Sequence, residues 1–141
     1  MGSEMDAIAG NAEIIREFTR VFKNEHNVDG IDHLFSQRFK HHFPPPLRPG
    51  LPGFKDIGRM MNGAFPDVVV TEEDLIVTPD KVVERSSTRG THRGDFMGIP
   101  PTSKPIAWTE IHIYRIAEGK IVEHWVEFAL HQLMQQITGQ A

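Results

Sequence analysis

The chain has 141 residues, 39% of them hydrophobic and 24% charged, with a formal net charge of −4. That suits one domain with a real core and excludes wholesale disorder, while the scattering of its 15 basic residues argues against nucleic-acid binding, which takes a basic patch. The absence of cysteine excludes disulfides and thiol chemistry and fits a reducing cytoplasm, and no apolar run approaches the ~20 residues that span a membrane.

Met1 to Asp6 carries no signal-peptide core, and residues 1–10 are expected to be a disordered or tag-derived lead-in to a single domain over 11–138. The first helix is expected over Glu13–Asn24. Ile14, Ile15, Phe18, Val21 and Phe22 recur there at helical spacing and leave Glu13, Arg16, Glu17, Arg20 and Lys23 for solvent. Asn27-Val28-Asp29-Gly30 breaks it, and a short helix over about Gly30–Phe35 follows, with Asp29 as its cap. Phe39–Phe43 reads as a short strand stopped by Pro44-Pro45-Pro46. Gly53–Phe65 is a third helix, ended by Pro66 because the residue before a proline is pushed out of helical geometry.

From Asp67 the period changes to that of strands: Val68–Val77, Lys81–Arg89, Lys104–Ile116 and Lys120–Phe128, with a tight turn at Ala117-Glu118-Gly119. The stretch Gly90–Thr102 joins the second and third of these. Its glycines and its Pro100-Pro101 pair require an irregular hairpin connection. Leu130, Leu133, Met134 and Ile137 then make a closing helix. Helices first and antiparallel strands after them predict an α+β fold, a curved, mostly antiparallel sheet wrapped around a helical layer. A hollow between them would take a small apolar ligand.

Several side chains in this frame could carry chemistry. Glu110 and His112 share one strand face with Trp108 and Tyr114 and would form a carboxylate–imidazole pair if that face points inward. The other possibility puts Thr109, Ile111 and Ile113 inside. His92, in the glycine-bent loop, either lines the cavity mouth or ties down its own loop. His41 and His42 point to opposite faces, so both cannot easily bind one metal ion; His42 with Phe43 is the pair assigned to the pocket. No other spacing supports a metal. His124 alternates with Val122, Val126 and Phe128, the set expected inside, and Trp125 goes with Glu123 and Glu127. Phe54, Met60, Met61 and Phe65, with Phe96, make either an adaptable apolar wall or plain core.

Phe65-Pro66-Asp67, Gly90-Thr91-His92-x-Gly94-x-Phe96-x-Gly98-Ile99-Pro100-Pro101-Thr102 and Arg115-Ile116-x-x-Gly119-Lys120-Ile121-Val122-Glu123-His124-Trp125 occur in an order that resembles the SnoaL-like polyketide cyclase family, within the nuclear-transport-factor-2-like cone fold. The trailing Leu133-Met134-Gln135-Gln136 is similar to that family's C-terminal end. The resemblance implies an aldol cyclisation of a carbonyl substrate without metal or organic cofactor, and a homodimer paired through the convex sheet face. It maps the family's strand histidine onto His112 and a polar neighbour onto Glu110, with His124 or His92 as the donor to developing negative charge. Relatives place an aspartate directly after the tryptophan or four residues after it, where this chain has Val126 and Ala129. Glu127 alternates to the opposite face from Val126. The substitution leaves a second expectation beside the enzyme, a non-catalytic module that binds an apolar ligand or partner in the same cavity.

Overall fold

The computed structural model describes residues 3–43 and 47–139. Helix α1, Ser3–Phe18, runs directly into a π-helical turn, Thr19–Asn24. The expectation of disorder is thereby corrected over residues 3–10. Ala7, Ile8 and Ala9 sustain a helix, and Glu4 and Asp6 lie in its first turn, where the backbone dipole favours acids. Met1 and Gly2 lie outside the described residues. The short second helix reduces to a 3-10 turn, Asp32–Leu34. Asp29 does not cap it; its carboxylate pairs with Lys55 and Arg59 at 3.2 and 3.0 Å.

Strand β1 spans Phe35–His42, starting earlier than expected because Phe35 as well as Phe39 is drawn into the core. The proline stop at 44–46 falls outside the described residues. Helix α2 is Gly50–Ala64, followed by β2 (Val69–Val77), β3 (Lys81–Thr91), β4 (Pro105–Ala117), β5 (Lys120–Phe128) and helix α3 (Leu130–Thr138). The sheet order is β1-β5-β4-β3-β2, with β1 parallel to β5 and every other neighbour antiparallel, as an α+β fold with a mostly antiparallel sheet requires. Glu118 and Gly119 take φ of 53° and 73° in the β4–β5 turn, the left-handed pair that a tight hairpin needs. No helix among the described residues is long and apolar enough to cross a membrane.

The Gly90–Thr102 connection ties the sheet to α2. Arg93 and Gly94 donate their N–H groups to the Ala64 carbonyl at 3.0 and 3.1 Å, satisfying the end of α2. A Cβ at Gly94 would lie 2.0 Å from the Gly63 carbonyl oxygen, so only glycine allows this approach. Asp67 accepts hydrogen bonds from the Thr91 N–H and hydroxyl, both at 2.7 Å. Further along, β5 stops at Phe128 opposite Glu110, leaving the start of β4 without a neighbour on that side. Gln136 of α3 fills the gap, accepting from Ala107 N–H and donating to Ala107 C=O, each at 2.6 Å.

The core divides in two. One cluster gathers Phe18, Phe22, Phe35, Phe39, Phe54 and Tyr114 with Ile15, Val82 and Ile121. The second gathers Phe65, Phe96, Ile106, Trp108, Leu133 and Ile137. Their rings touch at 4.7 to 5.8 Å and occupy much of the space expected to be hollow. Polar side chains fill the seam between the clusters.

Candidate active site

Ladder register puts the seam together. On the inner face Tyr114 is paired with Val82 and His124, His112 with Glu84 and Val126, and Glu110 with Ser86 and Phe128. Glu110 and His112 therefore point inward, and Ile111, 47% exposed, points out. His124 is buried on the inner face, as its alternation with Val126 and Phe128 predicts.

His112 is the hub. Its Nε2 lies 2.6 Å from Glu110 Oε1 and 3.2 Å from Lys23 Nζ, and its Nδ1 lies 2.9 Å from His124 Nε2. Trp108 Nε1–H donates to the other Glu110 oxygen at 2.6 Å. Lys23 donates to Glu84 Oε1 at 3.1 Å, and the Thr19 hydroxyl donates to Glu84 Oε2 at 2.8 Å. Glu84 is completely buried, whereas the side chains of Lys23 and Glu110 keep 11% and 14% exposure, so the seam reaches solvent at that end.

Charge decides who holds the protons. Burial alone would raise the Glu110 carboxyl, but the His112 hydrogen bond, the Lys23 charge and the Trp108 N–H outweigh it and hold its pKa at about 2. Burial and then Lys23 push His112 below the usual imidazole value, against the pull of Glu110 and Glu84. Lys23 thus favours an ionised Glu110 and opposes a charged His112, so the resting pair is carboxylate and neutral imidazole. Glu110 must then accept from a protonated Nε2, leaving Nδ1 to accept from His124. Burial lowers His124 well below its ordinary value, with the charges of His112 and Lys23 adding to the effect. Burial opposes the Lys23 charge, but the Tyr114 oxygen, Glu84 and Glu110 around it raise its pKa overall.

Other expected site residues lie elsewhere. His42 is corrected to the outer face: parallel pairing sets His41 beside His124 and His42 beside Trp125, on which it stacks at 4.9 Å while bonding Glu123 at 2.7 Å. Phe43 lies just past β1, its ring 6.4 Å from that of the inward His41. Met60 is 42% exposed because α2 turns it away from the sheet, whereas Met61 packs on the second cluster. His92 is a loop tie outside the His112 network: its Nδ1 is 2.9 Å from the Thr102 hydroxyl and accepts the Thr102 N–H at 3.3 Å. Phe65 and Phe96 are core, and Phe54 is core that also touches the site, edge-on to His124 at 5.1 Å. Val126 stands half-buried opposite His112.

Lys23, Thr19 and Glu84 are functional candidates that sequence reasoning missed. A 3.6-residue period puts Lys23 on the solvent side, but the wider π turn brings Thr19 and Lys23 together onto Glu84. The one available signal was the polar alternation Glu84, Ser86, Thr88 behind Val82 on β3. Among the described residues no group of three or more His, Asp or Glu side chains is arranged to hold a metal ion. A surface cleft of about 420 Å³ between Asp67, Arg89, Pro105 and Gln136 includes no residue of the His112 network.

Three helices on an open mixed sheet, with a polar seam on its inner face, define an α+β cone of the nuclear-transport-factor-2-like kind. Within that class the chain belongs to the SnoaL-like polyketide cyclase family, whose profile matches residues 12–137. It is similar to TsrD from Streptomyces laurentii, at 27% identity over 92% of this chain and 95% of that one, with a TM-score of 0.83. IdmH, a candidate polyketide cyclase from Streptomyces antibioticus, is 29% identical over 90% of this chain and 97% of its own, with a TM-score of 0.79. A candidate polyketide cyclase from Acidithiobacillus ferrooxidans is 25% identical over 92% and 94%, with a TM-score of 0.80. Among curated proteins none matches the chain.

Proposed function

We propose that this chain catalyses proton transfer on a small, largely apolar carbonyl compound, with intramolecular aldol ring closure as its reaction. The observation that supports this most is the buried His112, held between Glu110 and His124 at 2.6 and 2.9 Å where two apolar clusters meet. Membership of a cyclase family, and likeness to IdmH, point the same way.

Glu110 and His112 act as one base, sharing a proton across 2.6 Å. A proton from the carbon beside a carbonyl enters at His124 Nδ1 as the His124 Nε2 proton passes to His112 Nδ1, and the pair goes from carboxylate–imidazole to carboxylate–imidazolium. The enolate carbon attacks a second carbonyl of the same molecule, forming the ring bond, and the pair returns the proton to the new alkoxide oxygen. His124 stays neutral and trades donor for acceptor at His112 Nδ1. In this reading the side chains suffice without a cofactor, and two chains pair through the convex face, where Ile76 and Ile111 are exposed.

The test is exchange of the α-deuterons of a cyclic 1,3-diketone into water, followed by NMR. The wild-type chain should accelerate it and His112→Ala should fall to the buffer rate. No acceleration by the wild type, or an unimpaired His112→Ala, sinks the reading.

A further inference from the structure

The network contains more than a base. We propose that the Lys23 ammonium and the Tyr114 hydroxyl form a site for an oxyanion, an enolate or phenolate oxygen, beside His112. This rests on the proton-transfer reading above and adds to it the group that receives the negative charge.

Three observations carry it. Lys23 has three N–H donors, of which one is used on Glu84 at 3.1 Å. The His112 Nε2, 3.2 Å away, does not absorb another, because its own hydrogen points to Glu110. The ammonium therefore touches the base with donor capacity to spare. The Tyr114 hydroxyl is completely buried and its O–H has no acceptor, since the neighbouring Lys23 ammonium can only donate to its oxygen, an expensive arrangement unless a ligand completes it. Its ring stacks on that of His112, centroids 5.8 Å apart, and burial keeps the phenol protonated, so it can only gain by donating to an oxygen. Ser86, directly across the ladder from Glu110, is a further buried hydroxyl without a partner.

The surrounding charges allow the site. Glu84 is already matched by Lys23 and Thr19, and Glu110 by His112 and Trp108, so neither carboxylate faces the ammonium unopposed. Lys23 also contacts the Phe18 ring at 5.7 Å, whose face favours a retained positive charge. A cation held this firmly is a poor amine nucleophile but a good electrostatic partner, and preorganised donors of this kind act where the negative charge develops.

The probe is 4-nitrophenol, whose absorbance reports ionisation. The wild-type chain should bind it as phenolate. Lys23→Met alone would strand Glu84 and unfold some of the protein, so the charge-balanced pair Lys23→Met with Glu84→Gln is used, with thermal melts as control. It should weaken phenolate binding by about 10²-fold. Tyr114→Phe changes no charge, tests the second donor and should weaken binding by about tenfold. Unchanged binding in both variants, uptake of the neutral phenol, or no binding by the wild type overturns the site. His112→Ala separates the two proposals: loss of deuteron exchange with phenolate binding retained supports both. Unimpaired exchange with phenolate binding retained removes the base and leaves the oxyanion site standing.

Discussion

Val126 is the ladder partner of His112, on the same inner face and directly across the β4–β5 pair. An aspartate directly after the tryptophan, one of the two places that the family resemblance implies for it, would stand at this position, beside the imidazole. In this chain the neighbouring charges come instead from Glu110, two residues back on the same strand, and from Lys23 above the sheet.

Restoring the acid should change the pH response. Val126→Asp sets a second carboxylate against His112, favours the imidazolium and raises its pKa. The acidic limb of the deuteron-exchange profile should move to higher pH than in the wild type. A superimposable profile would mean that position 126 does not sense the base.

Acid should destabilise the fold before it reaches the ordinary carboxylate range. His124 is neutral and buried with a depressed pKa, so the unfolded chain binds its proton first as pH falls through about 6.5. Stability contributed by the neutral ring is complete above that pH and is lost progressively below it. Glu110, depressed to about 2, and the lowered Glu84 add losses of the same sign below about 4.5. Melting temperatures at pH 7.5, 6.5 and 5.5 should fall in that order, and His124→Asn should flatten the upper part of the trend.

Breaking the Lys23–Glu84 pair should cost far more than removing it. Glu84 is completely buried, and Lys23→Met leaves its charge without a cation, a loss of about 3–5 kcal/mol in urea unfolding. Lys23→Met with Glu84→Gln should lose much less. Equal losses in the single and double variants would show that the carboxylate finds another partner.

Gly94 should tolerate no side chain. The Gly63 carbonyl 2.0 Å from its virtual Cβ is backbone, not a flexible side-chain tip, so Gly94→Ala must part the loop from α2. The expected cost is about 1–3 kcal/mol of unfolding free energy, with Gly98→Ala, where a Cβ has open space but φ is 84°, as comparison.

Pairing through the convex face is tested by mass. Across the outer side the row Ile76, Val83, Ile113, Trp125 and His42 runs strand to strand, with exposed Ile111 beside it. Sedimentation should give a dimer for the wild type and a monomer for Ile76→Lys with Ile111→Lys. A monomeric wild type, or an unchanged dimer in the variant, would exclude this face.

Much of the architecture was legible from residue order because its causes are local. Alternation placed four strands to within two residues, Gly119 announced its turn, and the spacing from Leu130 to Ile137 announced α3. The resemblance carried by Gly90–Thr102 and Glu123-His124-Trp125 supplied the cone. Within the site, pairing Glu110 with His112 needed only the strand period, which also kept His124 on the side of Val126.

What the residue order left open were choices between opposite faces and between helix types, because these are settled by contacts far away in sequence. Either side of β4 could have been the buried one until Phe18 of α1 closed over Tyr114 and Phe65, just past α2, over Trp108. The parallel register of β1 on β5, with no local signal, turned His41 in and His42 out. The π turn moved Lys23 from the solvent side into the seam, where it pairs with buried Glu84, itself bonded by Thr19, and where a 3.6-residue period would never put it. Local periodicity shapes the elements, but which faces meet depends on burial that only the assembled sheet and helices create.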